Sequence, residues 1–176
     1  MGLNNNHYVV NNGVNYIYIY MNIFHLDKKP DVCAKYHCDK HVVKMILETA
    51  QMLSTAYQRH FGINDRLYKV AYPKHPMTIW VGNSKENFLW TMDLMKCLLY
   101  QYTLRYNKEH LSSRIYKVLK TLDITNFPSI GFTTPPLCMP DEYKTEDYIQ
   151  SYKNYYVNAK KSFAKYTNVN VPEFMI

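Results

Sequence analysis

An amine, a carboxylate and two imidazoles recur at helical spacing between His37 and Glu48. His37 and His41 are four residues apart, and so are Lys44 and Glu48. At about 100° of turn per residue, Cys33, His37, His41, Lys44, Glu48, Gln51 and Thr55 fall within roughly 80° of one another on a single helix. That line supports three kinds of chemistry. Lys44 beside Glu48 pairs an amine with a carboxylate: a neutral amine can attack a sugar C1′ and form a Schiff base, while Glu48 or His41 moves protons. His37 and His41, with Cys33 or Cys38, have spacing that suits zinc, but no Cys–His group of standard spacing completes the set, so neither metal nor cofactor is expected. The third reading is a solvated stripe in which Lys44 and Glu48 form an ordinary i,i+4 pair.

The element that must carry this line reads as one long helix from Pro30 to about His60. Asp27 to Pro30 is its entry, and Gly62 ends it. Val42, Val43, Met45, Ile46, Leu47, Ala50, Met52, Leu53, Ala56 and Tyr57 cover more than half its circumference, so it is expected to be buried on most sides. Its polar line must then face a groove or a paired network, because unpaired buried charge is costly.

Other elements follow from punctuation and period. Val14 to Phe24 alternates like a strand, and Asn12-Gly13 predicts a turn, so Tyr8–Val10 and Val14–Tyr20 make a candidate short β-hairpin. Met21 opens a new segment, which makes residues 1–20 an extension and residues 21–176 a single helical domain. His75-Pro76 starts a short helix. Asn83 is expected to cap a second long helix ending near Asn107, with Phe88, Met92, Met95, Leu99 and Tyr102 inward. Leu111 to Leu122 reads as a shorter helix, and the proline-rich stretch from Asp123 to Asp141 as an extended connector. Thr145 is expected to cap a last helix running to about Tyr166, with Tyr148, Tyr152, Tyr155, Ala159 and Phe163 on one face. The fold class is therefore mainly α: a compact bundle of about four helices around a central long one.

Composition narrows the setting. The chain has 176 residues, 47% of them hydrophobic, enough for one domain with a real core. Its 18 tyrosines and the abundant asparagines fit the bias of an AT-rich genome as well as they fit a function. A net charge of +7 favours polyanionic partners, since lysine contacts release counterions from phosphate. Lysine and tyrosine interleave from Tyr148 to Tyr166, which suits base stacking beside phosphate contacts, although tyrosines at helical spacing also read as core. Four cysteines without a CxxC pair or a signal peptide point to a reducing, intracellular setting, in the host cytoplasm or a virion if the source is viral. The apolar run from Tyr16 to Phe24 is too short to span a bilayer, so no membrane association is expected.

The runs Met21-Asn-Ile-Phe-His-Leu-Asp27, Tyr36-His-Cys-Asp-Lys-His41 continuing to Ala56, His75-Pro-Met-Thr-Ile-Trp80 and Met139-Pro-Asp-Glu-Tyr143 together resemble a small uncharacterised protein family of large phages and giant viruses. The resemblance covers nearly everything from Met21 onward. The order of these features is more distantly similar to the pyrimidine-dimer DNA glycosylases. That likeness implies a compact helical hydrolase of DNA repair that binds DNA, excises a damaged base and cleaves the strand through an imine on its N-terminal amine. Two departures stand out. The helix position that would hold the carboxylate is His41 or Lys44, with Glu48 one turn on, and Met21 lies inside the chain. Lys44 would then have to replace the amine, or the enzyme would only excise the base.

The expected catalytic residues are Lys44, Glu48 and His41. His37, Lys40, His75, Trp80, Asp141, Glu142 and Tyr143 are expected to bind substrate. Asp141 and Glu142 also suit the positive end of the last helix, and His75 suits a helix cap. Three functions remain open at this stage: a base-processing enzyme on DNA, a non-enzymatic nucleic-acid-binding or virion protein, and an enzyme on a small substrate such as a nucleotide.

Overall fold

A computed structural model describes residues 21–176. Among the described residues there are six α-helices and no strand: α1 Pro30–Tyr36, α2 Asp39–Phe61, α3 Pro76–Asn83, α4 Lys85–Tyr106, α5 Ser113–Leu119 and α6 Tyr148–Lys160. The mainly α expectation holds. The candidate hairpin lies outside the described residues.

The expected long helix is broken. His37 and Cys38 are extended, with ψ of 131° and 165°, and separate α1 from α2. The break persists because other groups take up its backbone. The His37 Nδ1–H lies 2.8 Å from the Cys33 carbonyl, and Tyr156 Oη accepts the Cys38 N–H at 2.8 Å. Arg105, from α4, donates to the carbonyls of His37 and Lys35 and pairs with Asp39 at 3.0 Å. A buried guanidinium at the C-terminal end of α1, touching an acid at the N-terminus of α2, complements both helix dipoles. Apolar periodicity runs straight through the break, so pattern alone does not reveal it.

Residues Met21 to Leu26 form no strand and are buried on every side. Their polar groups bond to side chains and loops instead of to a ladder: the Asn22 side chain reaches the Cys138 carbonyl at 2.8 Å, and Asn22 N–H reaches Glu48.

Three helices have boundaries that differ from expectation. Ser84, not Asn83, caps α4, accepting the N–H groups of Glu86 and Asn87. Asp147, not Thr145, caps α6, which ends at Lys160 before a 3₁₀ turn Lys161–Phe163. The helix expected over Leu111 to Leu122 is only the seven residues of α5. Other endings agree: Gly62 closes α2 at φ 87°, and His75 caps α3 ahead of Pro76.

α4 packs along α1 and α2, while α3 fits between α2 and α4. Gly82 permits that fit, because a Cβ there would come within 3.3 Å of the Ala56 Cβ. The core gathers Leu26, Ile46, Leu53, Met77, Leu94, Leu98 and Tyr152, all fully buried.

Candidate functional site

α2 presents a different face from the one expected. Lys40, Val43, Lys44 and Leu47 are exposed, whereas His41 and Glu48 are buried at 7% and 4% exposure. The solvent stripe is rotated by roughly 60° from the predicted polar line. Val43 and Leu47, expected inside, lie outside at 40% exposure each. The cause is on the opposite flank, where the Met21–Leu26 segment and α6 cover His41 and Glu48 and supply polar partners.

Glu48 is held from two sides. Its Oε2 accepts the Asn22 N–H at 2.8 Å, and its Oε1 lies 3.1 Å from Lys44 Nζ. Burial pushes the carboxyl above its ordinary range, and the Asn22 N–H and the Lys44 ammonium pull the other way. The Lys44 side chain, 53% exposed, covers the carboxylate, so the path from solvent to Glu48 runs past a flexible amine. Asn22 is positioned in turn by its own side chain. Its Nδ2 donates to the Cys138 carbonyl at 2.8 Å, and its Oδ1 accepts the Ile23 N–H at 2.8 Å. Oδ1 also lies 3.2 Å from the Tyr152 hydroxyl, which is closer to the Pro136 carbonyl at 2.8 Å.

His41 sits one turn before Lys44. Its ring stacks on Phe24 at 4.6 Å, meets the edge of Phe163 at 5.6 Å, and bonds Tyr156 Oη through Nδ1 at 2.8 Å. Burial lowers its pKa to about 3; the neighbouring His37 and then Lys160, Lys44 and Lys40 act in the same direction. Lys40 Nζ lies over the Phe163 ring at 5.0 Å, and Lys160 Nζ over Tyr155 at 4.5 Å. Tyr143 packs on Tyr155 with ring centres 5.3 Å apart. Lysines and aromatic rings thus alternate along the seam between α2 and α6.

The remaining expected residues are dispersed. His37 is wholly buried and faces inward at the break, so it does not continue the His41 line; burial lowers its pKa to about 4. His75 is buried and caps α3, its Nδ1 accepting the Met77 N–H at 3.1 Å. Trp80 donates to the Thr133 carbonyl and packs edge-on against His25 at 5.1 Å. Asp141 is exposed and pairs with Lys144 at 2.6 Å, and Glu142 is exposed beside it.

Asn22, Tyr152, Tyr156, Lys160 and Phe163 join the site without having been expected there. The interleaved lysines and tyrosines of α6 are the one sequence signal that pointed to them. Asn22 had none, because its role rests on a backbone N–H meeting a side chain 26 residues away.

Among the described residues, no group of three or more His, Cys, Asp or Glu side chains is placed to hold a metal ion, and no helix is long and apolar enough to cross a membrane. A surface hollow of about 430 Å³ lies beyond the end of α2, lined by Gln58, Asn64, Lys69 and others, and includes none of the expected site residues. Compared with known proteins, the chain matches no family model, no curated protein and no solved structure.

Proposed function

We propose that this protein is a DNA-acting enzyme, a base-excising glycosylase of the pyrimidine-dimer type, working at the α2–α6 seam. The observation that carries the reading is the buried Glu48 carboxylate, 3.1 Å from a half-exposed amine, at the edge of a lysine- and aromatic-lined surface. Lysines beside stackable rings suit a nucleic-acid strand, and a carboxyl raised by burial is a better proton acceptor than an exposed one.

The chemistry balances within this pair. Glu48 takes a proton from the Lys44 ammonium, and the freed amine attacks C1′ of the target nucleotide. The C1′–base bond breaks with its electron pair leaving on the base, and Glu48 returns the proton to that base. A second amine proton then passes to the ring oxygen as the C1′–O4′ bond breaks with its electron pair on O4′, which leaves a protonated imine between Lys44 and C1′. The base must leave the helical stack to reach this position.

A second source of amine is favoured by the 2.8 Å contact between Asn22 N and Glu48. In this chain that nitrogen is a peptide amide. A form begun or trimmed at Met21 would instead carry an α-amine within one residue of the carboxylate.

Borohydride trapping on ultraviolet-irradiated and abasic duplexes tests the reading. A covalent protein–DNA adduct is expected, absent in Glu48→Gln, and peptide mapping identifies the amine as Lys44 or as the start of a peptide at Met21 or Asn22. No adduct and no released base from any duplex would remove the proposal. Salt-dependent DNA binding that survives both Lys44→Ala and Glu48→Ala would then favour a binding protein, and thermal stabilisation by nucleotides alone would favour a small-substrate enzyme.

A further inference from the structure

We infer that the outer edge of His41, with Lys40, Lys44 and Lys160 around it, is a phosphate-binding subsite beside Glu48. The inference rests on the reading of the seam as a functional site, but not on the reaction assigned to it.

The argument begins with one hydroxyl. Tyr156 Oη, wholly buried, accepts the Cys38 N–H at 2.8 Å and lies 2.8 Å from His41 Nδ1. No other acceptor for its proton is in reach among the described residues. The arrangement that leaves no buried group unsatisfied has the Tyr156 O–H donating to Nδ1. His41 then carries its proton on Nε2, a tautomer assigned from the network. Nε2 bonds no protein acceptor among the described residues, and it is not among the nitrogens sealed in the core. The ring cannot turn this donor elsewhere, because Phe24 stacks on its face and Phe163 abuts its edge.

The surroundings of that donor are cationic. Lys160, Lys44 and Lys40 each act on His41. Among the described residues, Lys40 and Lys160 make no ion pair, and each is held over an aromatic ring instead. A neutral N–H donor beside three ammonium groups asks for a compact, multiply charged acceptor. A phosphate fits: its oxygens are strong acceptors, and ammonium groups contact it as point charges. A carboxylate ligand would leave at least one of the three lysines unmatched. The phosphate can come from a strand interior, from a strand end or from solution.

The test follows the His41 imidazole by long-range proton–nitrogen NMR during titration. The probes are inorganic phosphate, a 5′-phosphorylated oligonucleotide and its 5′-hydroxyl counterpart. Phosphate is expected to saturate and to move the Nε2–H signal. Lys40→Gln, at an exposed position, and Lys160→Gln, at a half-buried one, are each expected to keep the parental thermal midpoint and to weaken binding about three- to tenfold. Lys108→Gln, on the loop after α4, is the control and is expected to change nothing. Stronger binding of the 5′-phosphorylated strand would assign the subsite to a chain end, and equal binding would assign it to the backbone. An unmoved His41 signal at tens of millimolar phosphate, or equal loss from all three lysine variants, overturns the inference. Phosphate binding without base release from any duplex would discard the reaction and keep the subsite. Base release with a silent His41 would do the reverse.

Discussion

Glu48 is the residue on which the proposed chemistry turns, and its environment makes two separable demands. Its burial is offset by an N–H donor and an ammonium, and removing either partner leaves a poorly compensated charge. Glu48→Gln keeps an oxygen to accept the Asn22 N–H, so folding should survive, with the thermal midpoint within a few degrees of the parent. The proton-transfer step should fall by about a hundredfold or more, measured as single-turnover base release. A variant that retains parental release would move the chemistry away from this carboxyl. His25 presents the opposite case. It is fully buried and stacked on Trp90 at 4.5 Å, and among the described residues neither ring nitrogen has a hydrogen-bond partner. His25→Phe preserves an aromatic surface and removes two unpaired polar atoms, so stability at pH 7 should rise by about 1 kcal/mol. Loss of more than that in urea melts would indicate that the imidazole has a partner, such as a bound water.

At the scale of the elements, the α1–α2 break shows how much was legible in the sequence. Helical content, the Pro76 start, the Gly62 stop and the first half of α4's inward face (Phe88, Met92 and Met95) all follow from local chemistry, and the structure agrees with them. Farther along, Leu99 and Tyr102 are only half-buried and Leu98 takes the core position. The break does not, because its cause lies 66 residues away in Arg105, which bonds Asp39 and the flanking carbonyls. The rotated stripe of α2 was illegible for a related reason. Period locates a polar face, but which of its flanks meets solvent depends on what packs there, and here a non-helical segment and α6 take one flank. The site was legible to the extent that its residues share one helix: His41, Lys44 and Glu48 are adjacent on α2. The partners that orient them, Asn22 and Tyr156, come from elsewhere. Arg105 supplies the element-scale prediction. Its side chain is buried, so Arg105→Met should destabilise the fold by about 3–5 kcal/mol, most of it from leaving Asp39 without its cation, bonded by Thr167, and two carbonyls without their donor. Adding Asp39→Asn should recover part of that loss. A double-mutant cycle in urea measures the coupling, and additive effects would mean that the pair does not hold the break.

For the whole molecule, the net charge of +7 and the buried imidazoles make predictions under different conditions. If the seam binds a strand, affinity should fall steeply with salt, and Lys40→Gln should reduce the slope of log K against log salt by about one. Acid acts on the core instead. Burial holds His25 and His41 near 3 and His37 near 4, against an ordinary value of 6.5. Below about pH 6.5 the unfolded chain therefore binds protons that the folded chain refuses, and stability drops as pH falls toward those lowered values. Glu48 has the opposite sign: raised by burial, it keeps its proton longer in the folded state, so its contribution is present at low pH and is lost as pH rises. Burial lowers His75 and His110 as well, so five imidazoles outweigh one carboxyl, and together they set a slope of at most about 7 kcal/mol per pH unit. Urea midpoints should be nearly level from pH 7 to 8 and fall between pH 6 and 4. His25→Phe should make that fall shallower, because one of the five proton-refusing groups is gone. A parental midpoint that stays level down to pH 4.5 would mean that these rings reach water in the folded state. An unchanged slope in His25→Phe would place the acid sensitivity on the other lowered imidazoles, His37, His41, His75 and His110.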